Sequence, residues 1–345
     1  MPKHSEHIKY SILELASMGV GSTPADTFKN SLDLAQKAEN MGYTRFWLAE
    51  HHNMVSIASS ATSVLIGHIA NGTKTIRVGS GGIMLPNHSP LIIAEQFGTL
   101  GSLFPSRIDL GLGRAPGTDQ ATAHAIRPDR TRSVIAFPDE VAQIQKYFSK
   151  ENKSAQVRAS VAEGVDVPTY ILGSSTDSAH LAAKMGLPYA FASHFAPAQI
   201  FEAFHIYHNN FQPSDFLKEP YTIGCINVIA ADTDSEAERL STSLIKMMYG
   251  VLTNNIDYVQ PPQEMTAELK GLSEHEAFQR MLKYAYVGSK ATVKQKTADF
   301  IDATGVDEVM VASHIFHHED RVKSYQIFSE IMKDPEMASK LKNIP

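Results

Sequence analysis

The sequence has very little cysteine and no long hydrophobic run. Its 345 residues include one cysteine, Cys225, which excludes an internal disulfide and is typical of a protein in the reducing cytoplasm. Cys225 lies in an apolar run over residues 223–229, where we expect it to pack in the core. No apolar run approaches the roughly 18 residues of a membrane-spanning helix, so we expect no membrane segment.

The chain also lacks an excess of positive charge. It has 31 Lys and Arg against 37 Asp and Glu, a net charge of −6, and its basic residues are dispersed. A nucleic-acid-binding surface requires a basic patch or stripe, so we expect no nucleic-acid partner. The hydrophobic content of 43% is ordinary for a globular protein that binds small molecules or other proteins.

Strand and helix patterns alternate along almost the whole chain. The predicted strand and helix pairs are 8–15 and 24–41, 45–49 and 59–71, 76–85 and 90–103, 108–112 and 129–148, 169–172 and 177–185, 189–193 and 197–211, 221–231 and 235–248, and 309–313 and 321–332. Eight βα units predict an α/β fold, a (βα)8 TIM-type barrel. A doubly wound parallel sheet is the main alternative.

Two segments interrupt the alternation, one after strand four and one after strand seven. The first, at about 149–168, is polar, and the second, at about 249–288, contains Asn254-Asn255 and Pro261-Pro262. No internal repeat or linker divides the chain, so we expect one domain over residues 1–345 with two insertions. We interpret the second insertion as a mobile lid over the barrel mouth.

Polar and glycine residues follow six of the predicted strands. In a (βα)8 barrel the reactive groups lie where strands give way to the following loops. The six segments are Glu50-His51-His52, Gly81-Gly82, Gly111 to Gly117, Gly173 to Ser178, Ser193-His194-Phe195 and His314 to Glu319. The sequence therefore predicts a site assembled from these loops at one rim of the barrel.

The segment GSSTDS at 173–178 joins an apolar strand to a helix. Unpaired N–H groups at a helix N-terminus, together with hydroxyl groups, form an anion site that most often binds phosphate. Arg114 in the neighbouring loop would supply the counter-charge. Two alternatives remain open: one serine caps the helix, and Arg114 pairs with Asp119 at the surface.

The two glycine-rich turns differ from a dinucleotide fingerprint. Gly111, Gly113 and Gly117 are followed by no helix start, because Ala115-Pro116 interrupts the pattern. Gly81-Gly82 removes two side chains at the end of a strand. This pair indicates either a bulge or tight turn, or a planar ring lying against bare backbone.

Fifteen histidines are present, and His314, His317 and His318 with Glu319 superficially resemble metal ligands. However, no H-E-x-x-H helix and no H-x-H pair on the first strand is found. Consecutive strand residues point to opposite faces, so His51 and His52 would not both point inward. We therefore predict no metal site.

Five motifs together carry a family resemblance: WLAEHHN, VGSGGIMLPNHSP, RIDLGLGRAPG, LGSSTDSAHLAAKMGLP and YAFASHF. They closely resemble the bacterial luciferase-like family of flavin-dependent monooxygenases, over about residues 10–331. The likeness is greatest to the single-chain oxidoreductases of that family. It implies a (βα)8 barrel that uses FMN, supplied in reduced form by a separate flavin reductase, and that forms a homodimer.

The resemblance also assigns site residues. It implies catalytic roles for His51, as general base, and for Glu50 beside it. It implies cofactor-binding roles for Arg114, Ser174, Ser175 and Ser178 at the FMN phosphate, and for Gly81, Gly82, His194 and Phe195 at the flavin ring. The bond between Gly81 and Gly82 occupies the place where the family often has a non-proline cis peptide.

The implied reaction inserts oxygen into a small organic substrate through a flavin 4a-hydroperoxide formed from reduced FMN and O2. Gly113 stands where luciferases have a reactive cysteine, which argues against light emission. Two alternatives remain open: a deazaflavin-dependent hydride-transfer oxidoreductase of the same fold, and a non-catalytic flavin-binding protein.

Overall fold

A computed structural model describes residues 8–340 of the chain. Its strands are β1 (Lys9–Glu14), β2 (Arg45–Leu48), β3 (Arg77–Met84), β4 (Ile108–Gly113), β5 (Thr169–Gly173), β6 (Tyr189–Phe191), β7 (Thr222–Ala231), β8 (Ala285–Ser289) and β9 (Glu308–Ala312). Every pairing between them is parallel. Strands β1 to β7 and β9 close into a barrel, because β9 pairs with both β1 and β7 while β6 pairs with β7. The prediction of a TIM-type barrel is confirmed.

The helices separate the strands in sequence, and the last two follow β9. They are α1 (Pro24–Asn40), α2 (Thr62–Gly72), α3 (Pro90–Leu103), α4 (Gln120–Ile126), α5 (Arg130–Ile135), α6 (Phe137–Phe148), α7 (Thr176–Met185), α8 (Ile200–Asn210), α9 (Asp234–Leu252), α10 (Ala267–Glu274), α11 (Glu276–Met281), α12 (Lys290–Thr304), α13 (His318–Met332) and α14 (Pro335–Lys340). Within residues 8–340, no helix combines the length and apolar character needed to cross a bilayer.

Several elements differ from the sequence prediction. Helices α4, α10, α11, α12 and α14 have no counterpart among the predicted helices. Strand β8 lies within the predicted second insertion and pairs with the last residues of β7, outside the barrel. Only alternate residues of β8 are buried, so it lacks the continuous apolar run that marks the barrel strands. The predicted helix over 129–148 is two helices, α5 and α6, which meet at Ala136 just before Pro138.

The barrel interior is closed at the end where the strands begin. The Arg45 guanidinium donates to Glu308 Oε1 at 2.8 Å and to Asp109 Oδ2 at 2.8 Å, and Tyr221 donates to Glu308 Oε2 at 2.6 Å. Burial of these charges is tolerated because each is paired and hydrogen-bonded. The opposite end of the barrel, where the strands end, is therefore the open end.

An apolar layer fills the barrel above this network. Its buried members are Leu13, Trp47, Ala49, Tyr170, Ala190, Ile223, Cys225, Met310 and Ala312. Burial raises the pKa of the Cys225 thiol, which agrees with the packing role expected for it. The side chains that continue the same inward face beyond this layer belong to the rim.

The second insertion crosses the rim beside the loop after β1. Val259 donates its N–H to Met18 O at 2.9 Å and accepts from Val20 N at 3.0 Å. Helices α10 and α11 pack on α9 through the buried side chains of Leu244, Leu269 and Phe278. This part of the chain is thus held over one side of the barrel mouth.

Candidate functional site

Three imidazoles meet at the rim. Trp47 on β2 and Met310 and Ala312 on β9 face inward, as does Ala49 directly after β2. His51 and His314 follow beyond these two strand ends, and both lie close enough to His194 to affect its pKa. His314 Nδ1 lies 3.5 Å from the Ser17 hydroxyl.

All three imidazoles are held in the uncharged form. Burial lowers the pKa of His51. Burial, followed by the effects of His314 and His51, lowers the pKa of His194 to about 3. For His314, burial is again the main cause, followed by the charge of Arg321 and then by His51, and its pKa falls to about 4. His194 and His314, with pKa values this low, are poor proton acceptors at neutral pH, which leaves His51 as the candidate for that role.

Two buried polar atoms at the rim have no hydrogen-bond partner in the part of the chain that the structure describes. They are His194 Nδ1 and Asn227 Oδ1. The amide of Asn227 donates to the His194 carbonyl at 2.7 Å, so the two residues are held together. Buried polar atoms are nearly always satisfied, and a molecule bound in the mouth would satisfy these.

The glycines of β3 and β4 lie where the two strands approach closely. The Gly81–Gly82 peptide is cis, as the resemblance implies, and the register with β4 shifts between Ser80 and Ile83. A Cβ on Gly81 would lie 2.8 Å from Leu13 Cδ1, and a Cβ on Gly82 would lie 2.8 Å from Gly111 O. Strand packing therefore requires glycine at position 82, and a Cβ at position 81 would require the Leu13 side chain to move, whether or not a flat ring lies against these residues.

Glu50 is enclosed by the loops after β2 and β3. Its carboxylate accepts from Met84 N at 3.0 Å and from Asn87 Nδ2 at 3.1 Å, and it lies 2.9 Å from Nε2 of both His52 and His88. Burial would raise the pKa of Glu50, but hydrogen bonds from His52 and His88 lower it to about 2. The carboxylate thus joins two loops, and its neighbour His51 faces the other imidazoles.

The first turn of α7 is open to an anion. Its N-cap residue, Ser175, makes no side-chain capping hydrogen bond, so serine capping is not observed there. The Ser178 hydroxyl donates to Ser175 O at 2.7 Å and lies 2.9 Å from the Tyr189 hydroxyl, which engages one predicted phosphate ligand within the protein. Ser174 is half-buried at the end of β5.

Arg114 lies beside this helix terminus. Its Nη2 donates to Asp177 Oδ2 at 3.1 Å, while Asp119 caps α4 through Thr122 N. The carboxylate that pairs with Arg114 here is thus Asp177, while Asp119 serves as a helix cap. A cavity of about 230 Å³ adjoins Arg114, Asp177 and Ser178.

Of the remaining residues in the predicted rim segments, one lies beside the three imidazoles and one lies away from them. Phe195 is half exposed next to His194, and their rings meet edge to face at 5.2 Å. His318 instead lies 2.6 Å from Asp33 on α1, away from the mouth. No cluster of His, Cys, Asp and Glu within residues 8–340 has the arrangement of a metal site.

Sequence reasoning missed four contributors. His88 and Asn87 reach Glu50 from a 3-10 turn after β3, and the motif LPNHSP at 85–90 is the signal that could have marked them. Asn227 faces the mouth from β7 within an apolar run. Asp177 lies inside GSSTDS, but in that segment only the hydroxyls indicate a phosphate ligand.

Comparison with known proteins identifies related chains. The sequence model of the luciferase-like monooxygenase family matches residues 8–308. A luciferase-like monooxygenase of Escherichia coli (strain K12) is 46% identical over 327 residues, which cover 95% of this chain and 98% of that protein. An N-acetyl-S-alkylcysteine monooxygenase of Bacillus subtilis (strain 168) is 41% identical over 189 residues, 54% of this chain and 57% of that protein.

Solved structures share the fold. Apo-MsnO8 has a TM-score of 0.86 at 32% identity, covering 95% of this chain and 99% of that chain. The oxygenating constituent of 3,6-diketocamphane monooxygenase of Pseudomonas putida, in complex with FMN, has a TM-score of 0.72 at 17% identity, with 94% and 97% covered. An F420-dependent secondary alcohol dehydrogenase has a TM-score of 0.68 at 15% identity, with 96% and 99% covered. The last two show likeness of fold alone.

Proposed function

Because the chain belongs to the luciferase-like monooxygenase family, we propose that it is a two-component, FMN-dependent monooxygenase. A separate flavin reductase supplies reduced FMN, and the substrate is a small organic molecule. The observation that carries the proposal is the uncapped first turn of α7 facing Arg114 at the same rim as three uncharged imidazoles. One part of the rim suits a phosphate, and the other suits proton transfer.

The residues at the rim fit FMN. Arg114, the first-turn N–H groups of α7, and Ser174 with Ser175 would hold the phosphate. The Ser178 hydroxyl orients the Ser175 carbonyl. The unpartnered His194 Nδ1, together with Phe195 and the backbone at Gly81–Gly82, would contact the flavin ring. When bound in its reduced form, FMN supplies two electrons for the reaction with O2.

His51 is the proposed proton acceptor. Burial lowers its pKa, which keeps the ring unprotonated at neutral pH. Glu50 acts as a positioning residue, because its carboxylate is engaged by four groups of the two adjoining loops. The second insertion, held at Val259, excludes water from the mouth and serves as the lid.

The proposal also covers the oligomeric state of the protein and its cellular compartment. Helices α2 and α3 expose Val64, Ile92 and Leu103, and we assign this apolar face to a homodimer contact. A single buried cysteine is compatible with a cytoplasmic enzyme.

Isotope incorporation tests the function. The relative that acts on N-acetyl-S-alkylcysteines makes N-acetyl-S-benzylcysteine a suitable trial substrate. With reduced FMN from a reductase and ¹⁸O2, one oxygen atom should enter the product and the other should leave as water. Product formation without O2, driven by a reduced deazaflavin, would contradict the proposal and favour hydride transfer.

A further inference from the structure

A second cavity, of about 610 Å³, opens beside the rim. Its walls come from three places: Ser174 at the end of β5, residues 196–199 after β6, and α11 with the residues that follow it. This volume lies within the range of small-molecule sites, roughly 300–1,000 Å³. The wall after β6 begins two residues beyond His194, so one end of the cavity borders the proposed reaction site.

The lining of this cavity is amphipathic. Ala196, Pro197, Ala277 and Met281 supply an apolar surface. Two cations, Arg280 and Lys283, lie on the side formed by the second insertion. No carboxylate is among the lining residues. An apolar surface with two cations fits an organic molecule that ends in an acid group.

Neither cation makes a strong interaction with another described residue. Arg280 pairs with Glu276 at 3.1 Å within one helix, and both side chains are largely exposed. Such surface pairs contribute about 1 kcal/mol or less. Lys283 lies near the rings of Phe201 and Tyr284, at 5.8 and 5.4 Å from their centroids, and forms no ion pair in the described part of the chain. Both cations are available to a ligand.

We propose that this cavity binds the acid group of the substrate, and that Arg280 and Lys283 determine specificity for an organic anion. This inference rests on the proposed monooxygenase function. An acid group could also come from the cofactor phosphate. The substrate is the better source, because Arg114 and the uncapped first turn of α7 already form a phosphate site, which shares only Ser174 with this cavity.

Binding to the flavin-free protein tests the proposal. Calorimetry measures the affinity for two ligands, N-acetyl-S-benzylcysteine and its carboxamide. The carboxamide lacks the negative charge of the acid. Four variants are compared: Arg280→Gln, Lys283→Gln, the double variant that combines them, and Arg280→Lys. Lys270→Gln on α10 is the matched control, because it removes an exposed cation outside the cavity.

The double variant should weaken binding of the acid by about 10-fold or more, with little change for the carboxamide. Arg280→Lys should keep most of the affinity, and added salt should weaken binding of the acid alone. Equal effects on acid and carboxamide, or no binding of the acid to the unchanged protein, would overturn the proposal.

Two further measurements show whether the bound acid group belongs to the substrate or to the cofactor, and distinguish failure of the anion site from failure of the proposed activity. If the double variant weakens FMN binding but not riboflavin binding, the anion is the cofactor phosphate and the substrate assignment is wrong. If the acid binds through these cations but is never oxygenated, the anion site stands and the proposed activity on this substrate fails. If the acid is oxygenated with the same KM in every variant, the activity stands and the anion site fails.

Discussion

The Arg114 guanidinium donates to the Asp177 carboxylate across the gap between the loop after β4 and the first turn of α7, at 3.1 Å. Both side chains are largely exposed, by 45% and 69%, so the pair contributes about 1 kcal/mol or less. An anion at the helix N-terminus would compete with Asp177 for the same guanidinium. The pair therefore predicts opposite effects on FMN affinity when Arg114 or Asp177 is replaced.

Removing the cation should weaken phosphate binding. Arg114→Ala should raise the Kd for FMN by about 10- to 100-fold, because a charge-assisted hydrogen bond contributes roughly 1.5–3 kcal/mol. Riboflavin, which lacks the phosphate, should bind with little change. Fluorescence titration of both flavins measures this difference, and an unchanged FMN affinity would remove Arg114 from the phosphate site.

Removing the competing carboxylate should have the opposite effect. Asp177→Asn should lower the Kd for FMN by a factor of about 2 to 5, since an exposed pair contributes up to about 1 kcal/mol. Asp139→Asn is the control, because Asp139 is an acidic residue in the first turn of another helix, α6. Weaker FMN binding by Asp177→Asn would mean that Asp177 helps to form the site.

The buried carboxylate of Glu50 makes a prediction about stability. Its pKa is about 2 in the folded protein, against an ordinary value of 4.5, a difference equivalent to about 3 kcal/mol. Because the folded pKa is the lower one, this contribution is present above pH 4.5 and is lost as the pH falls toward 2. Glu50→Gln should therefore lower the free energy of unfolding by about 2–3 kcal/mol at neutral pH.

Urea unfolding at several pH values measures the Glu50 contribution. The difference between the unchanged protein and Glu50→Gln should shrink as the pH falls below 4.5. Glu276→Gln, at an exposed position, should change stability by less than about 0.5 kcal/mol. A pH-independent difference for Glu50→Gln would mean that the charge of the carboxylate does not stabilise the loops.

His51 should control how oxygen consumption is coupled to product. His51→Ala should leave FMN binding nearly unchanged but increase H2O2 released per O2 consumed, because the proton acceptor is lost. Burial lowers the pKa of His51 below 6.5, so activity should fall only at a pH below that value, where the ring becomes protonated. Oxygen uptake and product yield across pH measure both effects. If His51→Ala changed neither the product yield nor the fall in activity at low pH, His51 would have only a structural role.

The barrel could be predicted from the sequence because most of its strands are buried along their whole length and read as apolar runs. Strand β7 shows this most clearly, with all ten residues buried. The half-buried β8 could not be found in the same way. Nor does an alternating pattern show that one strand, β7, pairs with three others along its length.

The site could be predicted only in part. The rule for strand ends placed His51, His194 and His314 at one rim, and the structure places all three there. It could not show that Glu50 is enclosed by His88 and Asn87, since those contacts depend on how the turn after β3 folds. The anion cavity depends on α11, whose position over the rim is set by tertiary packing rather than by local sequence.

Anaerobic titration with reduced FMN, followed by admission of air, tests the central claim most directly. The account predicts that reduced FMN binds at one site per chain. It also predicts that bound flavin oxidises through a transient absorbance distinct from that of both free forms, and that this transient decays faster when substrate is present. Absence of binding by either form of FMN, or oxidation indistinguishable from that of free flavin, would contradict the account.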